Sequence, residues 1–215
     1  MLIQYLSKLE KKRIVLASRS PRREEILRLL KLPFEVLPSS FLENLDPQRY
    51  PSPAAYAIEN AKNKASNVFE RLCTERKQVS NIDLIIGADT VVEIGGRVLE
   101  KPESEASAVE MLQLLSGRKH LVHSGVCLYW KSCMGEWRLI SFSETTEVEM
   151  ATIGALEIIS YVRTGEPMDK SGAYGIQGIG GSFVKSIHGC YFNVMGLPMH
   201  HLASQIAKLC EDDKI

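Results

Sequence analysis

The order of apolar and polar positions divides the chain into short strands and amphipathic helices. Ile14-Val15-Leu16-Ala17 and Leu84-Ile85-Ile86 are unbroken apolar runs. Runs this short, rich in β-branched residues, suit strands buried on both faces. Phe34-Glu35-Val36-Leu37 predicts another strand, stopped by Pro38. Segments near 122–129 and 137–143 predict two more, joined by a polar turn, and Thr146-Glu147-Val148-Glu149-Met150 alternates like a further strand. Val91 to Leu99 reads as a hairpin, because Gly95-Gly96 tolerates the positive φ of a two-residue turn. Helical spacing of apolar residues covers 21–30, 54–72, 104–115, 156–163 and 197–209. Ser20 is placed to cap the first of these, with Pro21 at its first helical position. Gly117 and Gly165 follow the helices that end at 115 and 163. Strands and helices in alternation predict an α/β protein.

Composition narrows the function classes. With 215 residues the chain can build one large lobe or two small ones around a sizeable core. Acids and bases balance at 26 each, so no global field draws nucleic acid or a membrane surface, and any anion site is local. No apolar run reaches the roughly 20 residues of a membrane span. The segment Met1 to Arg13 lacks the long apolar core of a signal peptide, and Lys8 to Arg13 reads as a solvated helix end. Cys73, Cys127, Cys133, Cys190 and Cys210 are scattered, with no Cys-x-x-Cys pair. That pattern fits a reducing compartment, here taken as cytoplasm, and argues against zinc or a disulfide framework.

Candidate chemistry begins at Arg22 and Arg23, in the first turn of a helix. A helix N-terminus carries partial positive charge and prefers acids there. Two guanidiniums beside free backbone N–H groups make an anion site suited to polyphosphate; the alternative is pairing with Glu24, Glu25 or other surface acids. The polar, proline-rich stretch 39–53 is a long loop carrying Glu43 and Asp46, and such loops are often functional. Lys62 and Lys64 lie on the next helix and read, taken alone, as solvated lysines. Asp89 follows Gly87 and Ala88 at the expected end of a buried strand. There it is either a turn residue or a ligand-binding carboxylate. The hairpin returns Lys101 towards it.

A second loop, Asp169 to Gly181, has five glycines and allows close backbone approach to a ligand. Gln177 sits between its glycines, with an amide able to donate and accept at once, as reading a nucleobase edge requires. The loop is neither a phosphate-binding Walker loop nor a G-x-G-x-x-G dinucleotide fingerprint. His120 and His123 read as structural, and His188, His200 and His201 lack metal-ligand spacing. Cations for phosphates together with carboxylates for a divalent metal describe phosphoryl chemistry. No G-x-S-x-G or comparable nucleophile motif supports a covalent acyl route.

These residues carry a resemblance. Leu16-Ala17-Ser18-Arg19-Ser20-Pro21-Arg22-Arg23, Lys64-Ala65, Gly87-Ala88-Asp89-Thr90-Val91-Val92 and Leu99-Glu100-Lys101-Pro102 occur in the order seen in the Maf family of nucleotide pyrophosphatases. Leu115-Ser116-Gly117 with His120, Gly165-Glu166-Pro167-Met168-Asp169-Lys170, Gly172-Ala173-Tyr174-Gly175-Ile176-Gln177-Gly178 and Asn193-Val194-Met195-Gly196-Leu197-Pro198 continue it. Arg19 departs mildly, standing where many members have a small residue. The stretch Ser39-x-Phe41-x-Glu43-x-Leu45 also resembles the Maf-like domain that eukaryotes fuse to a methyltransferase-like domain. The resemblance covers residues 13 to 210 or so, which implies an N-terminal extension over 1–12, a single domain over 13–211 and a tail over 212–215.

The resemblance implies an elongated mixed β-sheet with flanking helices and two lobes around a cleft, similar to inosine triphosphate pyrophosphatases. It implies hydrolysis of a nucleoside triphosphate to the monophosphate and pyrophosphate, with Asp89 as proton acceptor. Ser18, Arg22, Arg23, Lys64, Thr90, Lys101, Asp169, Lys170 and Gln177 become substrate-binding candidates. Glu43, Asp89 and Asp169 become candidate ligands of a divalent metal, Mg²⁺ or Mn²⁺. Arg22, Thr90 and Gln177 match the subgroup acting on dTTP and UTP, and a glutamine amide fits the N3–H and ring carbonyl of uracil or thymine. Three alternatives stand beside this reading: a 7-methyl-GTP enzyme, a purine house-cleaning enzyme, and a non-catalytic nucleotide-binding regulator of cell division. The family also implies a homodimer.

Overall fold

A computed structural model describes residues 1–74, 82–132, 135–212 and 214–215. Cys133, part of the polar turn after 131, and residue 213 of the expected tail lie outside the described residues. The helices are α1 (Leu6–Leu9), α2 (Pro21–Leu29), α3 (Pro53–Thr74), α4 (Glu105–Leu115), α5 (Ala155–Val162), α6 (Tyr191–Met195) and α7 (Met199–Glu211). The strands are β1 (Ile14–Leu16), β2 (Glu35–Val36), β3 (Leu84–Ile94), β4 (Arg97–Leu99), β5 (Lys119–Lys131), β6 (Trp137–Met150) and β7 (Val184–His188). They form one mixed sheet in the order β2-β1-β3-β5-β6-β7, with β4 also paired to β3. β1 runs parallel to β2 and β3, and every other pairing is antiparallel.

The predicted α/β architecture with flanking helices is therefore what the chain adopts, with two revisions. Asp89 is not at the end of a strand. β3 continues through it to Ile94, because β5 pairs with it from Leu84 to Glu93 while parallel β1 stops opposite Ile86. Thr90, Val91, Val92 and Ile94 are β-branched and sustain the extended backbone. Likewise, the segment from Thr146 is not a separate strand. β6 pairs with β5 without a break from Trp137 to Glu149, so the polar residues at 143–145 sit inside one long strand.

Side chains sort the sheet into two lobes. On one face, Leu84, Ile86 and Ala88 of β3 and Val126 and Leu128 of β5 join an apolar cluster with α2 and α7. Further along that face, Val92, Ile94 and Val122 join a second cluster with α4 and α5. Between them the strands carry the cross-strand pair Thr90 and Ser124, which is polar. The opposite face is covered by α3. Its Ala61, Ala65, Val68 and Leu72 pack on Val15, Ile85 and Cys127, and its Tyr56 and Ala57 pack on Val91.

Glycines on the sheet let α3 lie this close. A Cβ at Gly87 would meet the carbonyl oxygen of Ala61 at 2.2 Å, and one at Gly125 would meet the backbone of Ala57 and Ile58 at 2.3 Å. The N-terminal segment is packed rather than loose, with Leu2 and Leu9 buried in the first lobe and Lys8 Nζ donating to the carbonyl of Cys210 at 3.1 Å. The hairpin turn takes positive φ at Gly95 (58°) and Gly96 (78°), as its sequence requires.

Candidate active site

All the residues singled out above as site candidates line one cavity of about 560 Å³ between the two lobes. A cavity of that size suits a nucleotide-sized ligand. Its floor is the middle of β3. Asp89 projects towards α3, where Lys64 Nζ donates to its Oδ1 at 2.7 Å and Asn60 Nδ2 to its Oδ2 at 3.1 Å. Lys64 Nζ also donates to Glu43 Oε2 at 2.7 Å, so two carboxylates share one ammonium. Lys64 is buried rather than solvated, as its position on a helix alone had suggested. Tyr56, Asn60 and Lys64 recur every four residues and share one face of α3. The Tyr56 hydroxyl donates to Glu100 Oε1 at 2.5 Å. Burial, and then that carboxylate, push the Tyr56 phenol far above its ordinary range, so it stays a neutral donor.

The other side of β3 meets α2 and α6. Arg23 is buried. Its Nε donates to the Gly196 carbonyl (2.9 Å), Nη1 to Ser18 Oγ (3.0 Å) and Nη2 to Thr90 Oγ1 (3.2 Å). Burial lowers its pKa from the ordinary value, and Asp89 and Glu43 work against that. Thr90 and Ser124 hydroxyls lie 2.8 Å apart, and Ser124 donates to the Asn193 carbonyl (3.1 Å), so the polar belt is held from below. Ser20 makes no side-chain cap to α2. Instead Ser18 Oγ accepts from the Ser20 N–H at 3.2 Å, which turns Ser18 towards the cavity and Arg23.

Arg22 pairs with neither Glu24 nor Glu25 but spans the cavity to the other lobe. Its Nη1 donates to Asp169 Oδ2 (2.8 Å) and its Nη2 to the Asp169 carbonyl (3.0 Å). Lys170 Nζ donates to Asp169 Oδ1 at 2.7 Å. Burial alone would raise the Asp169 pKa, but the Lys170 and Arg22 hydrogen bonds together carry it below its ordinary value. Lys101 and Gln177 are exposed at the rim.

Asn60 and Glu100 were missed in the sequence. Asn60 stands four residues before Lys64 in an otherwise apolar stripe, and Glu100 is the neighbour of Lys101 in the motif that singled out the lysine. Among the described residues, no three His, Cys, Asp or Glu side chains converge as ligands of an ion, so Glu43, Asp89 and Asp169 are not gathered into one set. Glu43 and Asp89 share the Lys64 ammonium, while Asp169 is held by Arg22 and Lys170. Glu43 and Asp89 nonetheless present hard oxygen donors beside one another. Magnesium is commonly held by only one or two carboxylates plus phosphate oxygens and water, so this donor set fits it. His120 is structural, as expected: buried, 2.8 Å from the Tyr174 hydroxyl, and held by burial down to about 4.

Known proteins resemble this chain over most of its length. A human protein described as a probable bifunctional dTTP/UTP pyrophosphatase/methyltransferase is 45% identical over 212 residues, 97% of this chain. The match covers 34% of that protein, so the chain spans about a third of its length. A dTTP/UTP pyrophosphatase of Clostridium perfringens is 44% identical over 195 residues, covering 88% of this chain and 93% of that protein. One from Thermococcus kodakarensis is 46% identical over 186 residues, covering 86% and 91%. Among solved structures, a HAM1 protein from Coxiella burnetii aligns over 92% of this chain and 99% of its own, with 16% identity and a TM-score of 0.45. The sequence pattern of the Maf-like protein family matches residues 13–209, and the chain belongs to that family.

Proposed function

We propose that this chain hydrolyses pyrimidine nucleoside triphosphates, dTTP and UTP foremost, to the monophosphate and pyrophosphate. The observation that carries the reading is the meeting, in one cavity, of a carboxylate on β3 with cations from both lobes. The names and coverage of the bacterial and archaeal relatives support the same reaction.

In this reading a water adds to the α-phosphorus and the bond from that phosphorus to the bridging oxygen of the β-phosphate breaks. Asp89 takes the proton of the attacking water. Lys64 and Asn60 fix the two oxygens of that carboxylate and so its orientation. Arg22, Lys101 and Lys170 take the phosphate oxygens, and charge grows on the leaving pyrophosphate where these cations stabilise it. Arg23 is largely committed to the protein and holds Ser18 and Thr90 in place. Gln177 reads the uracil or thymine edge. A divalent cation, held by Asp89 and Glu43, would supply charge neutralisation and a lowered water pKa. Asp169 acts chiefly as the counter-ion that releases Arg22 and Lys170 to the substrate. A cytoplasmic setting is the reading of the scattered cysteines and a homodimer that of the family resemblance, and light scattering of the purified chain tests the second.

The test is purified protein with Mg²⁺, or Mn²⁺, offered dTTP, UTP, CTP, 7-methyl-GTP, ITP and ATP in parallel, with pyrophosphate and orthophosphate scored separately. Pyrophosphate from dTTP and UTP above the rest is the expected result. Preference for 7-methyl-GTP or ITP would keep the chemistry and overturn the base reading. No turnover of any of them would overturn the enzyme reading.

A further inference from the structure

The loop that carries Gln177 is gripped on both flanks by two residues that do not line the cavity. Ahead of Gln177, the Gly175 N–H donates to the Tyr161 hydroxyl at 3.3 Å. Beyond it, the Ile179 and Gly180 N–H groups donate to Glu166 Oε2 (3.0 Å) and Oε1 (3.1 Å). The two anchors are joined, since the Tyr161 hydroxyl donates to Glu166 Oε1 at 3.0 Å. Tyr161 is buried at the end of α5, with its ring edge-on to Phe183 at 5.1 Å, so its hydroxyl is a fixed point.

Glycines make the grip possible. A Cβ at Gly178 would meet Glu166 Oε1 at 2.5 Å, and one at Gly180 would meet the Tyr161 hydroxyl at 2.5 Å. The loop therefore folds onto the clamp with no side chain between, and Gln177 stands at its tip, exposed to the cavity. The main chain of Glu166 serves the site too, since its carbonyl accepts from Lys170 Nζ. Burial would raise the Glu166 pKa, but the Gly180 and Ile179 N–H groups and the Tyr161 hydroxyl together bring it below its ordinary value. The carboxylate thus persists as the acceptor the loop needs.

We infer that Tyr161 and Glu166 are positioning residues for base selection, acting through Gln177 by fixing the backbone on either side of it. The inference rests on the proposed function, with Gln177 as the base reader. The two side chains hydrogen-bond none of Arg22, Lys101, Lys170 and Asp89, so their loss falls on the base and spares the polyphosphate.

The experiment measures binding, by calorimetry with Mg²⁺, of α,β-methylene-UTP and of inorganic tripolyphosphate, which has no base. Wild type is compared with Tyr161→Phe, Glu166→Gln, Gln177→Ala and the two double variants. Tyr161→Phe keeps the ring packing and removes one hydroxyl, so it folds. Glu166→Gln keeps the shape but turns an N–H₂ towards one of the two backbone donors. Each single clamp variant is expected to weaken the nucleotide analogue about tenfold and tripolyphosphate less than about twofold. In the Gln177→Ala background the same changes are expected to shift analogue affinity by less than about twofold, because residues acting through one another are not additive.

Equal losses on both ligands, no loss on either, or full persistence of the loss without Gln177 would each overturn the clamp. So would a wild type that binds the analogue no better than tripolyphosphate. A wild type that binds the analogue but releases no pyrophosphate from UTP or dTTP fails the proposed reaction alone, and the clamp is still decided by the binding ratios.

Discussion

Asp89 owes its geometry to neighbours on α3, and its variants separate chemistry from folding. Asp89→Asn keeps the size of the side chain but turns an N–H₂ towards Lys64 or Asn60, so the thermal midpoint falls by a few degrees while turnover falls by about two to four orders of magnitude. A variant with normal pyrophosphate release would remove Asp89 from the reaction. Lys64→Met is the harsher change for the fold. It leaves the Asp89 and Glu43 carboxylates facing one another without their shared ammonium, and removing one partner of a buried pair costs about 3 kcal/mol. Urea unfolding reads this loss directly, and unchanged stability would show that Lys64 is dispensable to the fold.

At this scale the sequence was informative about residue identity and less so about partners. The cations and acids of the cavity stand in recognisable motifs. That Lys64 is buried between two acids, or that Arg22 reaches across to Asp169, depends on contacts 21 to 147 positions apart, which no local pattern encodes.

At the scale of elements, the decisive fit is helix on sheet. α3 approaches β3 and β5 over Gly87 and Gly125, and only this closeness lets Asn60 and Lys64 reach Asp89. Gly87→Ala and Gly125→Ala force backbone apart and are each expected to cost at least about 2 kcal/mol, seen as a fall of several degrees in thermal midpoint. Turnover should fall as well, since the helix carries the groups that orient the carboxylate. Full stability in both variants would contradict the packing described. The extents of β3 and β6 were under-read from sequence for a related reason. Gly87, Asp89 and the polar run at 143–145 look like strand ends, yet antiparallel pairing carries the backbone through them. The longer helices were legible, because amphipathic spacing and terminal Pro or Gly are local signals, whereas the five-residue α6 was not read.

For the molecule as a whole, acid sensitivity follows from a group that does not line the cavity. His120 is neutral in the folded second lobe, held by burial to about 4 against an ordinary value of 6.5. The unfolded chain binds this proton first, so the stability it confers is complete above about pH 6.5 and declines as pH falls towards 4. The loss from this group amounts to about 3 kcal/mol. Urea unfolding at pH 7.5 and 4.5 should show it in wild type and not in His120→Gln, and equal acid dependence in both would refute it.

β3, β5 and β6 run unbroken beneath both lobes, and this has an evolutionary corollary. Proteins that close on a ligand often do so about a linker between rigid bodies, whereas here the ground under the two lobes is one woven surface. Change is thereby steered outward. Insertions, deletions and substitutions in the segments 37–46 and 165–181 can reshape the cavity without moving Asp89 on β3. Descendants of such a protein can diversify in what the cavity admits while its floor keeps its setting.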